Sequence, residues 1–169
     1  MGEQELEQAM AEYTQYLLRI GYYYTKDLAR SSDLVQDVFI QFYYSKYIER
    51  GNRKAYLARL MMNRCKDYLR SWSYRKIVLQ QTFFSEPITQ DVDSIVEQEQ
   101  REMLDAVILS LKVKLREVIV YYYLEEMTTR EIAQILQTPE STVKTRLQTA
   151  RKQLKEKLHQ HEWEVFLHE

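Results

Sequence analysis

The sequence has few of the residues that tight turns require. Its 169 residues include three glycines and two prolines, and no glycine follows Gly51. Two-residue β-hairpins favour glycine, and a loop that cradles phosphates needs several glycines close together. The composition therefore argues against a sheet-rich fold and a glycine-loop nucleotide site. It predicts an all-helical protein, with 45% apolar residues available for its cores.

The sequence also lacks a long hydrophobic segment. It has no run of about 18 apolar residues, the length that indicates a membrane-spanning helix. Its first ten residues, MGEQELEQAM, are polar and acidic, unlike a secretory signal. We therefore expect no membrane insertion and a cytoplasmic location.

Residues for catalysis and metal binding are scarce as well. Cys65 is the only cysteine, so an internal disulfide and a cysteine-based metal cluster are excluded. Its position on an apolar helix face predicts a small core residue rather than a reactive thiol. All three histidines lie in the last eleven residues, and no nucleophile–base motif occurs. We expect no enzyme activity, no catalytic residue, no metal site and no cofactor.

Charge is nearly balanced over the whole chain, with a formal net of −1, but it is segregated along the chain. Residues 51–80 hold eight Lys/Arg against one Asp, a local net of +7, whereas residues 81–110 hold seven acids against one Arg, a net of −6. Residues 111–160 return to +4, with ten bases against six acids. Since the placement of charge governs association with nucleic acid, the pattern predicts two basic modules separated by an acidic connector.

The most informative pattern lies in residues 128–158, TTREIAQILQTPESTVKTRLQTARKQLKEKL. Thr128 followed by Glu131 predicts a capping box for a short helix. Thr138 as N-cap, with Pro139 at the first helical position, predicts a second helix. Its apolar residues recur at helical spacing: Val143, Leu147, Ala150, Leu154 and Leu158. The two helices are typical of a helix-turn-helix, whose second helix enters the DNA major groove.

The opposite face of that second helix is polar and free of acids. No Asp or Glu occurs between Ser141 and Lys155, whereas a merely solvated helix normally mixes Glu with Lys. The face comprises Ser141, Thr142, Lys144, Thr145, Gln148, Thr149, Arg151 and Lys152, with Arg146 beside it. Hydroxyl, amide and cationic side chains of this kind suit base edges and phosphates, so nucleic-acid binding is the leading hypothesis.

Three further helices are predicted before the connector. The first carries an apolar stripe over residues 6–24, the second begins at an N-cap within residues 31–33, and the third covers residues 53–74 after a turn at Gly51 and Asn52. One face of the third helix is polar and mostly cationic, with Arg59, Asn63, Lys66 and Arg70. The first basic module therefore also presents a helical face to a partner.

Three segments of the chain resemble a known family. They are DLVQDVFIQFY at 33–43, AYLARLMMNRCKDYLR at 55–70, and LREVIVYYYLEEMTTREIAQILQTPESTVKTRLQTARKQL at 115–154. In order, in spacing and in the connector between them, they resemble bacterial RNA polymerase sigma factors of the extracytoplasmic-function (ECF) group, in the sigma-70 family. The resemblance implies two small helical domains joined by a flexible acidic linker, the C-terminal one containing the helix-turn-helix.

The same resemblance divides the chain into four parts. Residues 1–78 are similar to sigma region 2, which docks on the polymerase clamp and recognises and melts the minus-10 element. Residues 79–96 form the acidic linker, residues 97–160 are similar to sigma region 4, which recognises the minus-35 element, and residues 161–169 are a C-terminal tail. The implied function is that of an alternative sigma factor. Its implied partners are core RNA polymerase and promoter DNA and, as for many relatives, an anti-sigma factor.

Residue by residue, the resemblance assigns three sets of site residues. Where the family docks on the polymerase clamp lie Asp33, Leu34, Gln36, Asp37 and Phe39. On the helix that contacts the melted minus-10 element lie Arg59, Asn63, Lys66, Asp67 and Arg70, with Tyr56 at the position of a wedge aromatic. Where the family reads the minus-35 element lie Ser141, Thr142, Lys144, Thr145, Arg146, Gln148, Thr149 and Arg151, with the two arginines on or near phosphates.

Two residues depart from the family pattern, which usually has glycine in place of Gln137 and of Ser141. Without glycine, either Gln137 adopts a left-handed conformation or the turn differs. Ser141 adds a side chain close to the DNA backbone. The promoter preference of relatives therefore does not transfer to this chain.

Two other classes of function remain open at this point. One is a homodimeric helix-turn-helix regulator without polymerase-docking surfaces, which would leave the first basic helix unexplained. The other is a helical adaptor that binds only protein, with both basic faces solvated. Co-elution with core RNA polymerase and promoter-specific run-off transcripts would separate both from a sigma factor.

Overall fold

The structure, a computed structural model, describes residues 2–45, 52–71 and 95–158, with side chains from residue 102 onward in the last range. Every regular element in these ranges is a helix, as predicted. The chain divides into two compact units, Met1–Thr82 and Phe83–Glu169. The predicted turn at Gly51, most of the linker at 79–96 and the tail at 161–169 lie outside the described residues.

The first unit packs three helices against one another: α1 (Glu3–Thr25), α2 (Leu28–Tyr44) and α3 (Arg53–Arg70). Its most deeply buried side chains are Leu17, Ile20, Val38, Phe42, Leu57, Met61 and Cys65. Helix α3 ends earlier than the predicted limit at residue 74, because Ser71 is extended and donates its hydroxyl hydrogen to the Tyr68 carbonyl oxygen at 2.6 Å. The sequence pattern alone did not reveal that cap.

The corner between α1 and α2 differs from the prediction. The cap of α2 is Asp27, whose carboxylate accepts a 2.9 Å hydrogen bond from the Arg30 backbone N–H, rather than a residue within 31–33. Ser31 is fully buried instead, and its hydroxyl donates to the Asp27 carbonyl oxygen at 2.7 Å. It also lies 3.0 Å from the Thr25 hydroxyl. Two buried hydroxyls thus close this corner.

At Gly21, α1 lies close to residues of both α2 and α3. A Cβ at this position would lie 2.4 Å from Met61 Cε and 2.9 Å from Ser31 Cβ. Even the methyl group of alanine would require Met61 and Ser31 to shift, since real Cβ atoms do not approach so closely. The glycine is needed for helix packing rather than for an unusual backbone angle, because it lies inside α1.

The second unit contains α4 (Ile95–Leu109), α5 (Val113–Ile119), a π-helical turn (Val120–Leu124), α6 (Thr129–Leu136) and α7 (Glu140–Lys157). Helix α7 packs against both α5 and α6. All five residues predicted to form its apolar seam are buried, namely Val143, Leu147, Ala150, Leu154 and Leu158. Because that seam packs against α5 and α6, the opposite face of α7 is directed outward, as the helix-turn-helix prediction requires.

Candidate nucleic-acid interface

The helix-turn-helix begins with the predicted capping box. The Thr128 hydroxyl accepts from the Glu131 backbone N–H at 3.2 Å, and the Glu131 carboxylate accepts from the Thr128 backbone N–H at 2.8 Å. Gln137 adopts the left-handed conformation, with φ 51° and ψ 47°. The N-cap of α7 is Pro139 rather than the predicted Thr138, so the turn is one residue longer than expected.

One carboxylate links the starts of the two helices of this motif. Glu140 Oε1 accepts a 2.6 Å hydrogen bond from the Thr129 hydroxyl and lies 3.1 Å from Lys144 Nζ. The hydrogen bond from Thr129 is the largest of the causes that lower the pKa of Glu140 below its ordinary value. The hydrogen bond from Lys144 and the positive charge of that residue lower it further. Glu140 therefore stays ionised near neutral pH and ties the first turn of α7 to α6.

The predicted minus-35 face is outward along most of its length. Ser141, Lys144, Thr145, Gln148 and Thr149 are exposed, and Thr142 is half-buried. The hydroxyls of Thr145 and Thr149 donate to the carbonyl oxygens of Ser141 and Thr145, at 2.9 and 3.0 Å. Five of the eight predicted residues are thus exposed on this face.

Arg146 and Arg151, both predicted to lie on or near phosphates, make different contacts within the second unit. Arg146 Nη1 lies 3.4 Å from Glu117 Oε1, whose side chain is 1% exposed. Its charge therefore serves to neutralise a buried carboxylate inside the unit. Arg151 is half-buried and donates from Nε to the Tyr123 hydroxyl at 2.6 Å. Contacts over nearly thirty residues of chain, which no local pattern reveals, orient both arginines.

The predicted minus-10 face on α3 is also assembled on one side of its helix. Asn63, Asp67 and Arg70 are exposed, and Arg59 and Lys66 are half-buried. Arg70 Nη2 donates to Asp67 Oδ1 at 2.8 Å, between two side chains that are 75% and 66% exposed. An ion pair as exposed as this contributes little to stability, so both groups remain available to a ligand.

Tyr56, the predicted wedge aromatic, is half-buried. Its ring centroid lies 6.1 Å from that of the fully buried Phe42, at an interplanar angle of 50°. One side of the ring therefore belongs to the core of the first unit. Only the remaining exposed part is accessible to an unstacked base.

The predicted clamp-docking set on α2 is divided by the fold. Asp33, Gln36 and Asp37 are exposed, but Leu34 and Phe39 are 8% and 4% exposed and belong to the core. We therefore withdraw direct polymerase contact for those two residues. The prediction missed two exposed apolar side chains at the spacing of the same outer face, Ile40 at 58% and Tyr44 at 79% exposure. Asp33, Asp37, Ile40 and Tyr44 follow one another at spacings of four, three and four residues, which places them on one face of a helix. This spacing could have identified Ile40 and Tyr44 from the sequence.

Neither a metal centre nor a membrane helix is found in the part of the chain that the structure describes. No group of three or more His, Cys, Asp or Glu side chains there is arranged to hold a metal ion. No helix among those residues is long and apolar enough to cross a membrane. All three histidines of the sequence lie outside the described residues.

Comparisons with known proteins agree with both helical units. The family described as Sigma-70 region 2 matches residues 9–73, and the family described as Sigma-70, region 4 matches residues 101–154. No curated protein sequence shows significant similarity to the chain.

Two solved structures share the fold. The sigma factor RpoE from Bartonella quintana, in complex with the anti-sigma factor NepR, is similar with a TM-score of 0.71 and 18% identity, over 91% of this chain and 96% of that one. CnrH, in complex with the cytosolic domain of CnrY, is similar with a TM-score of 0.68 and 20% identity, over 92% and 88%. At such low identity the likeness establishes the fold alone.

Proposed function

This chain belongs to the sigma-70 family of transcription initiation factors, and we propose that it is an alternative sigma factor of the ECF group in which each surface has a separate role. As a member of that family it binds core RNA polymerase and directs initiation at promoters. In our proposal α7 reads the duplex minus-35 element, α3 contacts the melted minus-10 strand, and α2 docks on the polymerase. The chemistry of RNA synthesis then belongs to the polymerase, and the chain acts in the cytoplasm without enzyme activity of its own.

The observation that carries the minus-35 assignment is the outer face of α7. Its exposed residues include hydroxyl, amide and ammonium groups, with no acid from Ser141 to Lys155, above a seam that is fully buried. An extended basic and polar face on the second helix of a helix-turn-helix has the composition that major-groove recognition requires. We propose that Lys144 and Gln148 contact base edges.

Substitution of those two residues tests this assignment. Lys144→Ala and Gln148→Ala should each weaken promoter recognition, since a good base contact discriminates by about 1–3 kcal/mol, while leaving thermal stability nearly unchanged. The readout is the set of duplexes that the variant, assembled with core polymerase, enriches from a random-sequence library. Lys114→Ala removes an exposed cation from α5 and serves as the control. Unaltered sequence preference in both α7 variants would refute the assignment.

The α3 assignment requires a separate test. Replacing Asn63 and Arg70 by Ala should spare polymerase binding but abolish open complexes, because both side chains are exposed on the face proposed to hold unpaired DNA. Permanganate reactivity of promoter thymines measures strand opening directly. Normal reactivity in the double variant would contradict the proposal.

Docking on the polymerase is proposed for the exposed part of α2. Asp33, Gln36 and Asp37 supply polar groups, and Ile40 supplies an exposed apolar surface beside them. The variant Asp37→Ala/Ile40→Ala should reduce co-elution with core polymerase without unfolding the chain. A homodimeric regulator or a protein-only adaptor would instead give no promoter-specific run-off transcript when mixed with core polymerase.

We also propose an anti-sigma partner. RpoE, one of the structures that share the fold, is bound to an anti-sigma factor. The exposed apolar residues of α2 are accessible to such a partner. The test is whether a protein that co-purifies with the chain competes with core polymerase for it. That protein should no longer bind the Ile40→Ala variant.

A further inference from the structure

A cluster of two tyrosines and one arginine flanks α7 in the second unit. The rings of Tyr122 and Tyr123 meet edge to face with centroids 4.9 Å apart. The guanidinium carbon of Arg151 lies 5.3 Å from the first centroid and 5.5 Å from the second. Arg151 Nε donates a 2.6 Å hydrogen bond to the Tyr123 hydroxyl. Two neighbouring tyrosines therefore hold one arginine of α7.

Both tyrosines belong to the π-helical turn. A π-helical turn is wider than an α-helical one, because its hydrogen bonds join residues five apart, and the bond from the Glu125 N–H to the Val120 carbonyl oxygen, at 3.1 Å, closes it here. Tyr122 and Tyr123 both lie within this turn, and both rings are within reach of Arg151.

Arg151 lies at the edge of the proposed recognition face. Gln148 and Lys144 precede it by three and seven residues, the spacings that place side chains on one side of a helix. Its Nε is engaged by Tyr123, while its two terminal nitrogens make no hydrogen bond to any residue that the structure describes. A guanidinium with its plane held and its terminal nitrogens open is suited to two oxygens of one phosphate.

We infer that Tyr123 is a positioning residue that orients Arg151 to bind a backbone phosphate of the duplex that α7 reads. The inference rests on the proposed minus-35 role of α7. Tyr123, which no sequence pattern identified, would then contribute to the part of the affinity for duplex DNA that does not depend on base sequence. An arginine that is ordered before binding loses less conformational freedom when it meets the DNA, so removing the tyrosine hydroxyl weakens binding without altering which bases are preferred.

The test uses the full chain with core polymerase and a short duplex that the wild-type complex enriches from a random-sequence library. Tyr123→Phe should weaken binding about two- to tenfold, the range for one freed side chain, with the salt dependence unchanged because the charge remains. Arg151→Ala should weaken it further and reduce the slope of log K against log salt by about 0.9, the value for one phosphate contact. Arg151→Lys keeps the positive charge but lacks the two terminal guanidinium nitrogens. Its DNA affinity and salt dependence should therefore resemble those of Tyr123→Phe.

Tyr122→Phe is the matched control. It removes the same atom from the neighbouring ring, which contacts Arg151 through its face and makes no hydrogen bond to it, so its affinity should equal that of the wild type. All binding is measured below the unfolding transition of each variant. The comparison of Arg151→Lys with Arg151→Ala measures separately what the two terminal guanidinium nitrogens contribute.

A double-variant cycle separates positioning from a general structural role. Tyr123→Phe should have no further effect on DNA affinity once Arg151 is alanine. Additive losses, equal losses for both tyrosines, or an Arg151→Ala slope identical to that of the wild type would overturn the inference. Failure of the wild-type complex to enrich any sequence would instead refute the proposed minus-35 role, so the two failures are distinguishable.

Discussion

The two units bury different kinds of polar group. Among the described residues, the first unit buries the hydroxyls of Thr25 and Ser31, whereas the second buries Arg116, Glu117 and Glu125. A buried hydroxyl is satisfied by one or two hydrogen bonds, but a buried charge that loses its partner is far more costly. The first unit should therefore be sensitive to steric change, and the second to the loss of individual charged side chains.

The largest expected effect is in the second unit. Arg146→Ala removes the ion pair between Arg146 and the buried Glu117 and should destabilise this unit by about 3 kcal/mol, the lower end for a broken buried pair. Hydrogen exchange should show lost protection in α5 and α7 while α1 to α3 keep theirs. Lys144→Ala, which removes the partly exposed pair with Glu140, should cost below about 1 kcal/mol. Adding Glu117→Gln to Arg146→Ala should restore part of the loss; no recovery would contradict the electrostatic explanation.

The next effect is steric and belongs to the first unit. Gly21→Ala forces a methyl group against Ser31 and Met61 and should cost about 1–3 kcal/mol. Cys65 reports on this unit alone, since it is the only cysteine, is buried, and has its pKa raised to about 12 by burial. Its alkylation at mild alkaline pH should accelerate in the variant. Gly2→Ala, with nothing within 4 Å of the added atom, is the control, and equal alkylation rates would disprove the packing argument.

A smaller effect should be shared by both units. Lys26 ends α1 and Gln137 ends α6, both left-handed, with φ of 60° and 51°. A side chain in this region costs about 1–2 kcal/mol, partly offset by the greater freedom of glycine in the unfolded chain. Lys26→Gly and Gln137→Gly should thus each stabilise their own unit by about 0.5–1 kcal/mol. Denaturant titration with hydrogen exchange measures both, and destabilisation by either would show that the lost side-chain contacts dominate.

The smallest effect concerns pH. The pKa of Glu140 is lowered from its model-compound value of 4.5 in the folded state, first by the hydrogen bond from Thr129 and then by Lys144. A depressed pKa means that its stabilising contribution is present above pH 4.5 and is lost as the pH falls through the lowered folded value. Carboxyl NMR titration should give a midpoint below 4.5 for Glu140. Thr129→Val should raise that midpoint, and an unchanged one would show that the hydrogen bond is not the cause.

Periodicity predicted the parts of the fold that depend on local sequence. The seam of α7 and the Thr128–Glu131 box follow from spacing and capping chemistry alone, and both are confirmed. The cap at Asp27 was missed because Ser31 and Asp33 are equally good caps in isolation, and only burial of Ser31 distinguishes them. The π-helical turn has no sequence signal that we could identify.

The candidate site was predictable as a face but not residue by residue. Arg146 and Arg151 are alike in sequence context, yet Glu117 and Tyr123, 29 and 28 residues earlier, give each a different environment. Leu34 and Phe39 were likewise selected by resemblance, and the three-helix packing buries them. Long-range contacts decide such cases, and a single sequence does not display them.

The threonines of α7 change the hydration of its outer face. Because the hydroxyl hydrogens of Thr145 and Thr149 are already donated to carbonyl oxygens one turn earlier, neither hydroxyl needs a water molecule to accept its proton. A partner that covers these two hydroxyls therefore leaves neither donor unsatisfied. What these two side chains still offer is a hydroxyl oxygen as acceptor and a methyl group. At these two positions a DNA duplex meets an acceptor and an apolar group, with no hydroxyl hydrogen left to satisfy.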